Sequence, residues 1–314
     1  MKSIDFLKHR NKFFLLSAIV IAVGIIFFMI NGLNLDIQFK GGTRILVETN
    51  DMVDINQAKQ LIEENLGKSV TAQMLQTYNP EDEDGKIFML RLDIASDETL
   101  TDEERGIVND LVAENFDVKQ GGNQEMLSVQ PSIGQETLMN GLKALLIASI
   151  LIVLYVTWRF SALSGFPAAI TAILALVHDI LIVFALYTVF KIPVNEVFIA
   201  AVLTILGYSL NDTIVVYDRI RENSKNMKKH TLDDIVSVSI NQSLSRTINT
   251  TTTTLIVVIA LYVFAAINNI ASLKEFSLPL IVGFISGTYS SIFVASPIWM
   301  IWRKSSMRKT LKNA

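Results

Sequence analysis

Long apolar runs dominate this chain and leave it few folds to choose from. Residues 13–30 hold no Asp, Glu, Lys or Arg, and that length is close to the roughly 20 residues that cross a bilayer as a helix. Five further runs follow a polar block, at about 140–158, 166–190, 194–217, 247–267 and 279–302. Hydrophobic residues make up 51% of the 314 and charged residues 18%, below the roughly 25% charged of an ordinary soluble protein. The net charge of −3 conceals a separation: residues 31–139 carry 21 acidic against 8 basic side chains, and the rest of the chain 9 against 19. A nucleic-acid-binding protein would cluster its base on a polar domain, so that class is excluded. With no Cys and only three scattered histidines, His9, His178 and His230, the sequence predicts no disulfide, metal site or cofactor.

A cleaved signal peptide also opens with a basic stretch and an apolar core. Here the core exceeds the usual 7–15 residues, and no Ala-x-Ala site follows Met29-Ile30-Asn31-Gly32, so the first run reads as an uncleaved anchor. Basic residues set the orientation, because they stay on the cytoplasmic side. One set of span ends carries the amino-terminal tail, Arg159, the stretch 219–229 and the carboxyl-terminal tail, whereas the opposite short loops offer only Lys191 and Lys274. Both termini are therefore expected in the cytoplasm, with the protein in the cytoplasmic membrane. The expected organisation is a tail (1–12), a span (13–31), an extracytoplasmic domain (32–138), a five-helix bundle (139–302) with a cytoplasmic loop near 218–246, and a tail (303–314). Within that loop Thr231-Leu232-Asp233-Asp234 reads as a capped helix start. It predicts a short interfacial helix, a solvated loop being the other reading.

The acidic block reads as βαββαβ. Residues 43–49 alternate as a strand. Residues 54–66 place Ile55, Ala58, Leu61, Ile62 and Leu66 on one helix face, stopped by Gly67. Strands are expected at 70–78 and 86–93 around a hairpin loop at 79–85, then a helix at 100–116 with Ile107, Leu111 and Val112 on its apolar side, and a last strand at 125–130. That order is the split βαβ pattern of a ferredoxin-like sandwich. The fold class is thus an α-helical polytopic membrane protein with six transmembrane helices plus one α+β ferredoxin-like extracytoplasmic domain. The acidic runs 81–84 and 102–104 read as a solvated loop and a helix first turn.

A charge at mid-bilayer costs about 2.5–3.5 kcal/mol on insertion scales. Asp179, beside His178, lies in the third span and Asp212 in the fourth. Thr204, Tyr208 and Asp212 fall four apart, a polar stripe on one helix face. Arg246 opens the fifth span, followed by Asn249, Thr250 and Thr253 or Thr254, at a depth that lets it meet Asp212. A buried pair that only fixes packing is the alternative, although such pairs add little stability after desolvation. For His178 and Asp179, relay and packing roles stand open together, and Arg159, Asp218 and Arg221 read as interfacial anchors. Gly283, Gly287, Ser291 and Ala295 make a ridge of small residues for close helix packing, the partner helix left open.

These residues carry a resemblance. Asp36-Ile37-Gln38-Phe39-Lys40-Gly41-Gly42-Thr43, His178-Asp179, Gly207-Tyr208-Ser209-Leu210-Asn211-Asp212-Thr213, Asn241-Gln242-Ser243-Leu244-Ser245-Arg246-Thr247 and Gly287-Thr288-Tyr289-Ser290-Ser291 together resemble the SecF family, over essentially the whole chain. The chain departs from the family's usual Asp-Phe-Thr-Gly-Gly-Thr, and Val129-Gln130-Pro131 stands for its Val-Gly-Pro. The resemblance implies an RND-like half-transporter, non-enzymatic, that with SecD uses the proton gradient to help draw exported polypeptides through the SecYEG channel after the SecA motor. It implies proton-relay roles for Asp212 and Arg246, with Asp179, His178, Tyr208, Asn211 and Thr250 as further candidates. The alternatives are half of an RND-type drug or lipid exporter, and an intramembrane aspartyl protease using Asp179 and Asp212. The latter lacks its Gly-x-Gly-Asp pattern.

Overall fold

The computed structural model describes residues 7–78, 86–94, 100–163, 165–268 and 270–313; the hairpin loop expected at 79–85 lies outside them. Among the described residues, six helices are long and apolar enough to cross a membrane. The first, α1 (Arg10–Asn31), ends at Gly32, whose positive φ of 68° lets its N–H bond the Phe28 carbonyl. One turn of helix, α2 (Ile37–Lys40), follows, capped by the Asp36 carboxylate. Gly41 and Gly42 then carry the chain into the sheet at positive φ. A methyl group at Gly41 would come within 2.6 Å of Pro131, so both conformation and space require glycine there.

The polar block is a four-stranded antiparallel sheet of β1 (Gly42–Thr49), β2 (Val70–Tyr78), β3 (Lys86–Ile94) and β4 (Gln124–Val129), in the order β2-β3-β1-β4. Helices α3 (Ile55–Leu66) and α4 (Asp102–Asn115) connect β1 to β2 and β3 to β4. Asp54 caps α3, Gly67 ends it in the left-handed conformation, and Thr101 with Glu104 closes a capping box on α4, the local chemistry that fixes helix ends. Ile45 and Val47 alternate inward and pack with Leu90, Leu92, Ala58, Ile62, Val108 and Val112. On α4 the expected Leu111 and Val112 do face this core, whereas Val108 is buried in place of the expected Ile107, which is exposed.

Helix α5 (Pro131–Arg159) starts well before the apolar run expected at 140, because Pro131 occupies its first turn, where the missing N–H costs nothing. Its close fit on α2 depends on Gly134, where a methyl group would sit 2.8 Å from the Phe39 carbonyl oxygen. A short 3-10 turn leads to α6 (Gly165–Phe190) and α7 (Glu196–Asn226). The interfacial segment expected after residue 231 is no separate element. It is the first part of α8 (Leu232–Ile267), with Thr231 and Asp234 forming its capping box. No Gly or Pro falls within α8 to interrupt it, and Ile235, Val236 and Ile240 are buried against neighbouring helices. The last span is α9 (Ala271–Ser290), one π-helical turn at Ser291–Ala295, and α10 (Ser296–Asn313).

Ion pairs join sheet and bundle. Asp36 accepts from Arg44 (2.6 Å) and Arg91 (2.9 Å), Asp93 pairs with both arginines, and Arg91 also faces Glu275 of α9 at 3.8 Å. Glu275 in turn accepts from Asn195 at the start of α7 (2.6 Å), and Asp36 N–H donates to the Val194 carbonyl. The fit of these groups is one of satisfied charge: four of the five ionic side chains are at least about five-sixths buried, and each has a partner.

Candidate functional site

Four helices, α6 to α9, converge on the two carboxylates inside the bundle. Helix α9 approaches α7 through the small-residue ridge, so the partner left open by the sequence is α7 of the same chain. A methyl group at Gly283 would strike Ile205, and one at Gly287 would lie 2.8 Å from Ser209 Cβ. This close approach brings the α9 hydroxyls within reach of α6 and α7. Ser291 Oγ shares a hydrogen bond with Thr213 (2.9 Å). The π turn that starts at Ser291 lets Ser296 Oγ donate to the Ser291 carbonyl across five residues, an irregularity that recurs at functional sites.

Asp179 is wholly buried on α6. It accepts hydrogen bonds from Ser209 Oγ of α7 (2.6 Å) and from Ser286 Oγ (2.6 Å) and Ser290 Oγ (2.8 Å) of α9. His178 Nδ1 lies 3.1 Å from its Oδ1, while His178 Nε2 meets Ser17 Oγ of α1 at 2.9 Å. Ser17 continues to Tyr289, whose hydroxyl donates to the Phe13 carbonyl (2.6 Å). Asp179 and His178 thus tie α1, α6, α7 and α9 together, and the carboxylate's acceptor positions are filled by protein donors.

Asp212 is equally buried on α7, in looser company. Its Oδ2 accepts from Thr288 Oγ1 of α9 at 3.1 Å and from Thr251 Oγ1 of α8 at 3.5 Å. Those two hydroxyls lie 2.6 Å apart, and Tyr208 donates to Thr251 at 3.3 Å. Three rotatable groups, the hydroxyls of Thr251 and Thr288 and the phenol of Tyr208, therefore surround one carboxylate, and no cation among the described residues pairs with it. A proton added to Asp212 turns an acceptor into a donor, and the hydroxyls can reverse their bonds in response.

Arg246 does not meet Asp212 in this arrangement. Successive residues on a helix point about 100° apart, and it is Thr247 and Thr251, four apart, that face inward on α8, both being buried. Arg246 lies one step around, exposed, beside Asp218, Arg219 and Lys225 of α7. Asn211 is also on an exposed face, Thr250 is half-buried, and neither hydrogen-bonds Asp212. At the end of the bundle, Asp218 accepts from Arg159 (2.8 Å) and forms an ion pair with Arg221 (3.0 Å), and both guanidinium groups lie over the Phe160 ring. Sequence reasoning missed Thr251, Thr288, Ser209, Ser286, Ser17 and Tyr289, and gave Ser290 only a helix-packing hydrogen bond. The spacing of Ser286 and Ser290, beside the ridge, was the one readable signal.

Comparison with known proteins agrees with this architecture. Residues 109–305 match the family model of the protein export membrane protein SecD/SecF, C-terminal. The protein translocase subunit SecF of Alicyclobacillus acidocaldarius is 36% identical over 98% of this chain and 96% of its own. The protein translocase subunit SecDF of Bacillus subtilis is 35% identical over 97% of this chain, which spans only 39% of that longer protein. The crystal structure of SecDF, a translocon-associated membrane protein from Thermus thermophilus, superposes with a TM-score of 0.79 at 32% identity, covering 96% of this chain and 39% of that one. Matches to SecF subunits over nearly the whole of both chains, together with the SecD/SecF family model, place the chain in the SecF family of protein-export membrane proteins.

Proposed function

We propose that the chain is one half of a proton-driven translocase accessory, working with a SecD-type half. In this reading it uses the proton gradient to promote movement of exported polypeptides through the SecYEG channel, with SecA acting before it. The observation that carries the reading is the setting of Asp212: a buried carboxylate without a cation, held by reversible hydroxyls from α8 and α9. Protonation changes the charge that three helices must accommodate, and so favours one packing of the bundle over another. Helix α9 extends this change outward, since it bonds both carboxylates near one end and carries Glu275, facing Arg91 of the sheet, near the other.

In the same reading the sheet domain is extracytoplasmic, with the ferredoxin-like split βαβ order, and both termini are cytoplasmic. Thr204, Gly207 and Asn211 of α7 and Arg246, Asn249 and Thr253 of α8 form exposed faces in the isolated chain. Polar groups at membrane depth face protein or water rather than lipid, so these faces suit a second half-transporter. Fusion of the two halves in SecDF relatives supports that partner. The named relatives lend nothing to the drug or lipid exporter. The test is co-purification with a SecD-type partner after mild solubilisation, for the native chain and for Asp212→Asn. Both should assemble equally while the variant loses gradient-dependent export; normal gradient-dependent export in the variant would remove the relay role.

A further inference from the structure

A cavity of about 570 Å³ opens between α7 and α8 at the end of the bundle that carries Arg159, within the size range of small-ligand sites. Its charged lining is Arg219, Arg221, Lys225 and Arg246 against Asp218 and Glu222. Both acids are already engaged. Asp218 accepts from Arg159 and is ion-paired with Arg221, and Glu222 accepts from Arg219 at 2.6 Å. Lys225 on one wall and Arg246 on the other are left, and no carboxylate of the described residues pairs with either. Gln242 beside them uses its carbonyl oxygen to accept from Asn223, which keeps its amide N–H groups for the cavity.

We propose that this cavity binds a phosphate group, as the headgroup of an anionic phospholipid or as free phosphate. Lysine offers phosphate a compact charge and arginine a planar pair of donors, and the two arrive here from different helices on opposite sides of one space. The depth fits a headgroup. Trp158, 75% exposed, and Tyr155 mark the same end of α5, and exposed aromatic side chains of this kind sit at headgroup level. Basic pockets between spans at that level take anionic headgroups. A choline headgroup adds a cation to a cavity that already has two unmatched ones, so the site distinguishes phosphatidylglycerol from phosphatidylcholine by charge. A phosphate held there also keeps Arg246 in the position seen, away from Asp212. The site stands on its own geometry and is independent of whether Asp212 carries protons.

The test uses the purified full-length chain in detergent, with native mass spectrometry reading retained phosphatidylglycerol or phosphatidylcholine. Inorganic phosphate is added as competitor, and its own effect on the melting temperature is recorded. Phosphatidylglycerol should be retained about tenfold more strongly than phosphatidylcholine. Lys225→Gln and Arg246→Gln should each weaken that preference, and Lys225→Arg should keep it, with unchanged helical content showing that the variants are folded. Competition by inorganic phosphate would assign the free ion as a sufficient ligand, and retention despite it would assign the lipid. Equal retention of the two lipids without a phosphate-dependent melting shift, or an unchanged preference in Lys225→Gln/Arg246→Gln, would overturn the proposal.

Discussion

Asp179 and Asp212 are both buried, yet their neighbours set them apart. Asp179 has donors from every side, so Ser286→Ala leaves a buried acceptor short and should cost about 1–3 kcal/mol, read as a lower melting temperature in detergent with the fold retained. An unchanged melting temperature would mean that water replaces the hydroxyl. Asp212 and Arg246 are apart in this packing, so a relay that uses both needs a second packing in which they meet. If they act as a unit, Asp212→Asn/Arg246→Met should impair export no more than either single change; losses that multiply would separate their roles. A charge in an apolar run is visible in any sequence, which is why Asp179, His178, Tyr208 and Asp212 were legible. Thr251 and Thr288 were not, because serine and threonine also satisfy themselves on the carbonyl four residues back, as Thr254 and Ser277 do here. Which hydroxyl turns instead toward a carboxylate depends on the rotation of α8 and α9, and the same rotation carries Arg246 outward.

Among the elements, α9 depends most on being narrow. Gly287→Leu forces side-chain atoms into the space of Ser209, so it should destabilise the bundle by about 1–3 kcal/mol or more and shift the hydroxyls that hold Asp179. The same substitution at Gly207, where a methyl group meets nothing within 4 Å, should leave the melting temperature of the chain alone nearly unchanged. In the sheet, Glu48 accepts the Asn123 N–H (2.8 Å) and pairs with Lys119 (2.9 Å). The backbone hydrogen bond foremost, then Lys119, hold its carboxyl below the ordinary value of 4.5. A lowered folded-state value means that this contribution is fully present above the ordinary carboxylate range and is lost as pH falls through the lowered one. Denaturant melts from pH 7 downward should therefore lose less stability in Glu48→Gln than in the native chain. Caps and alternation gave these elements away in the sequence. The join between the expected loop helix and the fifth span was hidden because the polar stretch around Asn241 to Ser245 resembles a break, and only its packing against α7 shows that the helix continues.

At the scale of the whole molecule, the polar sheet and the turn that joins α7 to α8 should lie on opposite sides of the membrane. With no native cysteine, Glu114→Cys should react with an impermeant thiol reagent on intact cells and Lys228→Cys only after permeabilisation. The reverse pattern would invert the topology. The number of spans and the order of strands were legible because each is set by local periodicity. The clamp of Asp36, Arg91 and Glu275 was not, because it joins residues far apart in the chain through a fold that no local pattern specifies. The central claim is that a proton on Asp212 drives this assembly. It is tested most directly in vesicles holding the native or the Asp212→Asn complex, by measuring export with the proton gradient intact and after an ionophore collapses it. The native complex should lose its gradient-dependent fraction on collapse, and the Asp212→Asn complex should show none to lose while keeping the fraction that persists without a gradient; an equal ionophore-sensitive fraction in both would contradict the account.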